Sequence, residues 1–324
     1  MVMIGQWLGK VGLGTVIGLA LCAQAAASFD TGRLSFKVRI NEVMSHYTEA
    51  FTSVMPSGTV VIRLAKDSLS GDFELVSEQR VVSPSAPGTW RWRAPETSGL
   101  QALVLHRTDT GETMRIQVFT LVPASQVRNG KLNGYPIGTY PKQPFKGLSA
   151  YEAPLGFIEV TEANKSTWVS PHFRLEQFLC KQPGGYPKYL VLRPALLMKL
   201  EGLLAEVNEN GFRSDSFVIM SGYRTPYYNA SIDNVANSRH LWGGAADVYI
   251  DVTPKDGRMD DLNGDGRVTK ADAMVLYRWS DQFVKKHQRP ELRGGVGAYG
   301  STASHGPFVH VDVRGQVARW GHRD

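Results

Sequence analysis

Cysteine is nearly absent from this sequence: Cys22 and Cys180 are the only two in 324 residues. Cys22 lies in a leader that we expect to be removed, so no intramolecular disulfide can form in the mature chain. Runs of five or more basic residues are also absent, although the formal net charge is +6. Nucleic acid is therefore not an expected partner. A modestly basic protein of this kind is either simply soluble or drawn to an anionic polymer such as a bacterial wall.

No apolar run is long enough to span a membrane. In residues 1–27, Lys10 is the only charge, and the apolar stretch Val11–Leu21 precedes the small residues AQAAAS. This pattern predicts a secretory signal and hence a periplasmic or otherwise exported protein. The stretch is shorter than the roughly 20 residues of a spanning helix, so no membrane span is expected after cleavage. A lipoprotein anchored at Cys22 is disfavoured, because Leu21 stands where a small residue is expected.

The region 28–123 consists of short alternating runs separated by turn residues. These runs include LSFKVRINEV, GTVVIRLA, FELVS, TWRWRAP, LQALVLHRT and TMRIQVFTLVP. They predict an antiparallel β-sandwich of immunoglobulin-like type. The segment 124–169 is rich in Gly, Pro, Tyr and Asn, with one strand-like piece, GFIEV, and is expected to be a connector packed along one or both domains.

The region 170–324 shows both helical and strand patterns, so the chain as a whole is predicted to be α+β. Ser170 followed by Pro171 favours a helix start. A second helix is predicted from Arg193 to Asn210, because apolar residues recur along one side of it. The apolar run Phe217–Met220 predicts a buried strand.

Three side chains in this second half have the chemistry of a metal site. His240 and Asp247 flank a turn with two glycines, and Asp247 opens an apolar, strand-like run. His310 belongs to a second strand in which Val309 and Val311 would face one side, with His310 and Asp312 on the other. Two imidazoles and one carboxylate form the ligand set of a catalytic zinc, with a fourth position open for water. The alternative is a satisfied polar cluster without metal.

A second metal site is predicted at residues 261–272, DLNGDGRVTKAD. This segment matches the calcium-loop template, with Gly266 at the sharp bend and Asp at position 12 instead of the usual Glu. The expected calcium ligands are the side chains of Asp261, Asn263, Asp265 and Asp272 and the carbonyl of Arg267. The alternatives are an Asp/Gly-rich surface turn and a calcium-dependent scaffold module, although scaffold modules normally carry two such loops.

The string SRHLWGGAAD at 238–247, the preceding SGYR at 221–224, the GGVG at 294–297 and the FVHVD at 308–312 resemble a known family. They are similar to the zinc D-Ala-D-Ala carboxypeptidases and murein endopeptidases of the lysostaphin, D-Ala-D-Ala metallopeptidase and hedgehog fold group. The resemblance covers residues 170–320 and does not extend to the first region. It implies a small mixed, largely antiparallel sheet with flanking helices.

The resemblance also implies zinc held by His240, Asp247 and His310. Arg224 would hold a substrate carboxylate or carbonyl, and Ser238 would orient groups beside the metal; alternatively, Arg224 only braces its turn. Several relatives have a Glu or Asp three residues before the last ligand, where this chain has Pro307. The substitutes for a general base are Asp312, which could instead accept a hydrogen bond from a ligand imidazole, and His305, which could instead stabilise the oxyanion.

The function expected from the resemblance is zinc-dependent hydrolysis of amide bonds in peptidoglycan stem peptides or cross-links, by an endopeptidase or a D,D-carboxypeptidase. Peptidoglycan is then the expected partner, with zinc and calcium as cofactors. The alternative is a zinc-containing peptidoglycan-binding protein without catalytic activity, since Pro307 replaces a base.

Overall fold

The computed structural model describes residues 29–287 and 289–321. The predicted signal at 1–27 and the last three residues of the predicted 170–324 domain lie outside that part of the chain. In the described residues the protein combines β-sheets with three α-helices, an α+β architecture with a β-sandwich at its start. None of the described helices is long and apolar enough to cross a membrane.

Nine strands build the sandwich. They are β1 Arg33–Ile40, β2 Val43–Tyr47, β3 Glu49–Val54, β4 Thr59–Leu64, β5 Phe73–Ser77, β6 Arg80–Val82, β7 Thr89–Arg93, β8 Gly99–Arg107 and β9 Glu112–Thr120. One sheet has the order β2-β1-β4-β7 and the other the order β3-β9-β8-β5-β6. Inward-facing residues of both sheets, such as Phe36, Ile62, Leu103 and Ile116, share one buried apolar cluster. The alternating runs in the sequence become β1, β4, β5, β7, β8 and β9, which confirms a β-sandwich.

One strand pair of the sandwich is parallel, whereas the alternating runs predicted antiparallel pairing throughout. Strand β2 pairs with β1 in the first sheet, and β3 pairs parallel with β9 in the second. The two strands are separated only by Thr48, so the chain passes directly from one sheet to the other there. Because the chain keeps its direction at this passage, β3 lies parallel to β9.

The connector and the two residues before it form four short strands. They are β10 Val122–Pro123, β11 Lys131–Leu132, β12 Tyr135–Pro136 and β13 Gly156–Val160. Strand β13 corresponds to the GFIEV run. It pairs with β10 on one side and with a strand of the second half on the other. The aromatic ring of Tyr151 packs against Leu241 and Trp242, so the connector contacts the segment that carries His240.

The second half contributes the remaining elements. They are β14 Trp168–Ser170, β15 Phe173–Arg174, β16 Lys188–Leu190, α1 Pro194–Glu209, β17 Val218–Ser221, α2 Pro226–Ser231, β18 Ala245–Tyr249, α3 Lys270–Lys286, β19 Gly295–Tyr299, β20 Phe308–Asp312 and β21 Ala318–Trp320. Five of the strands form a sheet of order β17-β18-β20-β19-β21, in which only the β19–β21 pair is parallel. Helix α1 and strand β17 match the predicted helix and strand, but β17 is an edge strand in which only Ile219 is buried.

The helix predicted at Ser170 is wrong. Ser170 pairs with Phe173 across a tight antiparallel hairpin, and only a short 3-10 turn, Leu175–Phe178, follows. The apolar side chains explain the difference, because the fully buried ones are Phe173, Leu175 and Phe178. Their spacing of two and three residues does not place them on one side of an α-helix.

The two faces of the five-stranded sheet have different tasks. Val309 and Val311 of β20 join the large apolar cluster that includes residues of α1 and α3. Helix α1 lies close to α3 because Gly202 has no side chain: a Cβ there would be 2.2 Å from Cζ of Phe283. Alternation along β20 then turns His310 to the opposite face, where the candidate site lies.

The sandwich and the second half share this core. Tyr47, Phe51 and Phe119 belong to the same buried cluster as the residues of α1. The Arg289 side chain also donates to the carbonyl of Met44 at 2.7 Å. The second half is therefore packed against the sandwich through α1 and β14.

Candidate metal centre

Three buried side chains from separate parts of the chain meet on the open face of the five-stranded sheet. Asp247 of β18 and His310 of β20 are cross-strand partners in the antiparallel register. His240 comes from a 3-10 turn, Arg239–Trp242, that ends at Gly243 in the left-handed conformation with φ 60°. A Cβ on Gly243 would lie 2.1 Å from the carbonyl oxygen of Val191, so only glycine fits there. This glycine lets the chain turn from His240 directly into β18.

The three side chains form a compact triangle of donor atoms. Nε2 of His240 lies 3.3 Å from Oδ1 of Asp247 and 3.3 Å from Nδ1 of His310, and the third edge, between Nδ1 of His310 and Oδ1 of Asp247, is 2.8 Å. Ligands bonded to zinc at roughly 2.0–2.1 Å in a tetrahedron stand about 3.3 Å apart. Two edges match this spacing and the third needs to open slightly. Among the described residues, this buried group can bind a metal ion.

The outer hydrogen bonds of the two histidines orient both rings toward this triangle. Nδ1 of His240 donates to the carbonyl of Gly222 at 2.6 Å, which leaves Nε2 with a lone pair toward the centre. Nε2 of His310 lies 3.1 Å from Oδ2 of Asp312, so Nδ1 is the atom that faces the centre. Such outer partners fix the tautomer and orientation of ligand histidines.

The electrostatics favour a positive charge at the centre. Burial raises the pKa of Asp247, but the neighbouring His240 and His310 outweigh it and the net pKa is lowered. Burial also lowers the pKa of His310, yet its hydrogen bonds to Asp247 and Asp312 raise the net value above 6.5. For His240 burial prevails, and its pKa is lowered. The centre thus combines a carboxylate with a neutral imidazole, and a proton or a divalent cation can supply the positive charge.

Arg224 is tied to a metal-ligand candidate. Its Nη2 donates to Oδ2 of Asp247 at 3.0 Å, and its Nε donates to Oγ of Ser221 at 2.9 Å. The guanidinium therefore holds the outer oxygen of Asp247 and leaves Oδ1 for the centre. The side chain keeps 12% exposure, so part of the fork remains open to solvent.

Asp312 is fully buried and committed to several donors. Oδ1 accepts from the backbone N–H groups of Gly295 and Arg314, at 2.9 and 3.0 Å. Oδ2 accepts from His310 and from the Arg314 guanidinium. Burial raises the pKa of Asp312, but these donors hold the net pKa well below its ordinary value. The geometry places Asp312 behind the His310 ring, as the acceptor for its outer nitrogen.

Ser238 and His305 do not belong to the buried group of ligand candidates. Ser238 is buried at the start of the 3-10 turn, where its carbonyl accepts from the N–H of Leu241. His305 lies in the loop before β20, with Nδ1 2.9 Å from the Gly306 carbonyl and its ring edge-on to Phe308. It also lines a cleft of about 190 Å³ with Tyr249, Arg258 and Pro307 among its other walls. In the described part of the chain, neither residue forms a hydrogen bond or a ring contact with His240, Asp247 or His310.

An aromatic group beside His310 was missed by sequence reasoning. The Trp320 ring lies 5.2 Å from the His310 ring, and its indole nitrogen donates to the Tyr299 hydroxyl at 2.8 Å. The Tyr299 ring in turn stacks on Phe308 at 4.6 Å. The two-residue period of a strand could have identified Tyr299. It lies two residues beyond Gly297, which pairs with His310, and so it lies on the same face of the sheet.

The predicted calcium loop forms a compact turn before α3. Asp261 accepts the backbone N–H groups of Gly264, Asp265 and Gly266. The fully buried Asp272 accepts from the backbone N–H groups of Leu262, Asn263 and Thr269. These bonds make Asp272 part of the capping box of α3. The loop therefore positions a helix that packs against β19 and β20.

Comparisons with known proteins reveal little about this chain. No family model matches it, and no curated protein matches it. Among solved structures, a similarity is found to the fibronectin(III)-like modules of Clostridium thermocellum CbhA, at 12% identity, over 26% of this chain and 94% of that one, with a TM-score of 0.18.

Proposed function

We propose that this protein is an exported zinc peptidase that hydrolyses amide bonds in peptidoglycan stem peptides or their cross-links. The observation that carries the proposal is the buried triangle of His240, Asp247 and His310, with edges of 2.8 to 3.3 Å. Two nitrogens and one carboxylate oxygen fit a three-ligand zinc site. The motif resemblance to murein peptidases, and the hedgehog-like fold it implies, supply the substrate class.

In this proposal, one group of residues binds the metal ion and a second group orients the ligand rings. His240, Asp247 and His310 would hold the ion, which when bound supplies water activation and polarisation of the scissile carbonyl. Gly222 and Asp312 keep the two rings in the ligating orientation.

Arg224 would orient Asp247 and offer the open part of its guanidinium to a substrate carboxylate or carbonyl. His305, in the loop before β20, would accept or supply a proton. Ser238 would help to hold the His240 turn.

Turnover of defined muropeptides tests the proposal. Purified protein with one equivalent of zinc should release new amines from cross-linked muropeptide dimers, with masses that identify the bond cut. His310→Ala and removal of metal by a chelator should both abolish release, and zinc should restore it only to the wild type. A matched control is His106→Ala, since His106 lies in β8 of the sandwich. A zinc-loaded, folded wild type that releases no amine from any muropeptide contradicts the proposal.

A non-catalytic zinc protein that binds peptidoglycan is the second candidate. It is favoured by Pro307, which has no titratable group, and by the engagement of both Asp312 oxygens with His310, Gly295 and Arg314. This candidate predicts sedimentation with intact sacculi in the presence of zinc, without new amines. The same preparations used for turnover distinguish the two functions.

We also propose calcium at the 261–272 loop, held by the side chains of Asp261, Asn263, Asp265 and Asp272 and the carbonyl of Arg267. Four oxygen-bearing side chains at template spacing support it. Calcium would stabilise the start of α3 and thereby the sheet that carries the zinc ligands. Calorimetric titration of zinc-loaded protein tests this, with heat expected for calcium and its loss in Asp265→Ala.

A further inference from the structure

The Tyr299 hydroxyl accepts a hydrogen bond from the protein, and its own proton remains available for donation to a ligand. Nε1 of Trp320 lies 2.8 Å from Oη of Tyr299. An indole N–H can only donate, so Oη is the acceptor and the hydroxyl proton must point elsewhere. Tyr299 is 38% exposed, so that proton can reach a bound ligand.

Tyr299 lies on the metal-bearing face of the sheet, because it is two residues beyond Gly297, the cross-strand partner of His310. Gly297 pairs with His310 on one side and with Trp320 on the other. A Cβ on Gly297 would lie 2.2 Å from Nε1 of Trp320, so the indole occupies the space directly over this glycine. The Tyr299 oxygen is one hydrogen bond from that nitrogen. Directly opposed residues on neighbouring strands lie about 5 Å apart, so the indole over Gly297 lies beside the His310 side chain, and the Tyr299 hydroxyl is hydrogen-bonded to that indole.

Aromatic contacts hold Tyr299 in this position. Its ring stacks on Phe308 with centroids 4.6 Å apart and an interplanar angle of 9°. The Trp320 ring contacts both the Arg314 guanidinium, at 5.2 Å, and the His310 ring, also at 5.2 Å. A donor fixed before the substrate arrives needs no reorganisation during reaction, which is the property of an oxyanion-stabilising group.

We propose that Tyr299 donates a hydrogen bond to the carbonyl oxygen of the scissile amide as negative charge develops there, with Trp320 as its positioning residue. As water adds to the carbonyl carbon and gives a proton to the general base, the carbonyl π pair moves onto oxygen. The hydroxyl proton of Tyr299 stays on Tyr299 while its hydrogen bond strengthens. This inference rests on the proposed peptidase function. It also provides a donor that Arg224 supplies only in part, since that guanidinium is bonded to Asp247 and Ser221.

Tyr299→Phe separates this role from packing, because phenylalanine keeps the stack on Phe308. We expect kcat on muropeptide dimers to fall on the order of 100-fold, with KM and zinc content within about twofold of wild type. Trp320→Phe removes the positioning bond and should give a smaller fall in kcat in the same direction. Tyr227→Phe, at a tyrosine that is 54% exposed on α2, is the matched control and should retain wild-type kcat.

A binding measurement tests the role without turnover. A phosphinate analogue of the stem peptide carries a tetrahedral anionic centre, and its affinity for zinc-loaded protein can be measured by calorimetry. Tyr299→Phe should weaken phosphinate binding at least tenfold and leave product-peptide binding unchanged. Equal phosphinate affinity in the wild type and Tyr299→Phe overturns the role of Tyr299, as does a fall in zinc content that accounts for the lost activity. A wild type that cleaves nothing instead refutes the peptidase function, and the phosphinate comparison still decides the role of Tyr299.

Discussion

Asp312→Asn should weaken zinc binding although it changes only one atom of the side chain. Both carboxylate oxygens face donors: Oδ1 faces the backbone N–H groups of Gly295 and Arg314, and Oδ2 faces His310 and the Arg314 guanidinium. An asparagine NH₂ group therefore has no acceptor in the pocket except a deprotonated Nε2 of His310. The two backbone donors cannot be turned away, so we expect the NH₂ group to replace Oδ2.

That exchange reverses the tautomer of His310. With NH₂ facing Nε2, the ring proton moves to Nδ1, the atom that faces Asp247 and the centre. The loss of such an outer partner typically costs 10- to 100-fold in metal affinity, or about 1.4 to 2.7 kcal/mol. We expect zinc affinity to fall by at least this factor, because the tautomer is reversed as well as the charge lost.

Competition with a chromophoric chelator measures the zinc affinity, and circular dichroism confirms that the variant is folded. Asp67→Asn provides a control with the same change of charge, at an exposed aspartate that pairs with Lys37 in the sandwich. Wild-type zinc affinity in folded Asp312→Asn would refute the orientation of the His310 ring argued here.

Three further outcomes are expected. Gly222→Ala should lower both the zinc affinity and the free energy of unfolding, since the new Cβ would lie 2.6 Å from the Phe178 backbone and displace the carbonyl that orients His240. Chelator competition and urea unfolding test this, and an unchanged zinc affinity and free energy of unfolding would contradict it. Asp272→Ala should lower the free energy of unfolding by about 2 kcal/mol and abolish stabilisation by calcium, because three backbone N–H groups lose their acceptor; a wild-type urea midpoint would show the cap to be dispensable. Burial lowers the pKa of His172, but Glu201, 2.7 Å away, raises the net pKa above 6.5. The ion pair therefore stabilises the fold fully below pH 6.5, and this stabilisation is lost as the pH rises through the folded-state pKa. Glu201→Gln should remove that pH dependence from urea unfolding of zinc-loaded protein.

The elements predicted well from the sequence are those whose signals are local. Helix α1 begins at Pro194, one residue inside the predicted start, because proline at a first helical position and an apolar stripe within 16 residues need no distant partner. The helix predicted at Ser170 is wrong because the local signal there is ambiguous. Ser-Pro is an equally good start for a helix and a turn for a hairpin, and burial of Phe173 and Leu175 against the distant core decided between them.

By itself the sequence determined which side chains are available and their order: two histidines and an aspartate with the chemistry of a metal site, a glycine after His240 that permits the turn, and a strand period that sends His310 and Val309 to opposite faces. Only the tertiary structure decided which nitrogen of each ring faces the centre, and that Arg224 grips Asp247. The reason is that the orientation of each ligand ring depends on an outer hydrogen-bond partner, such as the Gly222 carbonyl for His240. No sequence pattern identifies that partner, and only long-range packing brings it within hydrogen-bonding distance.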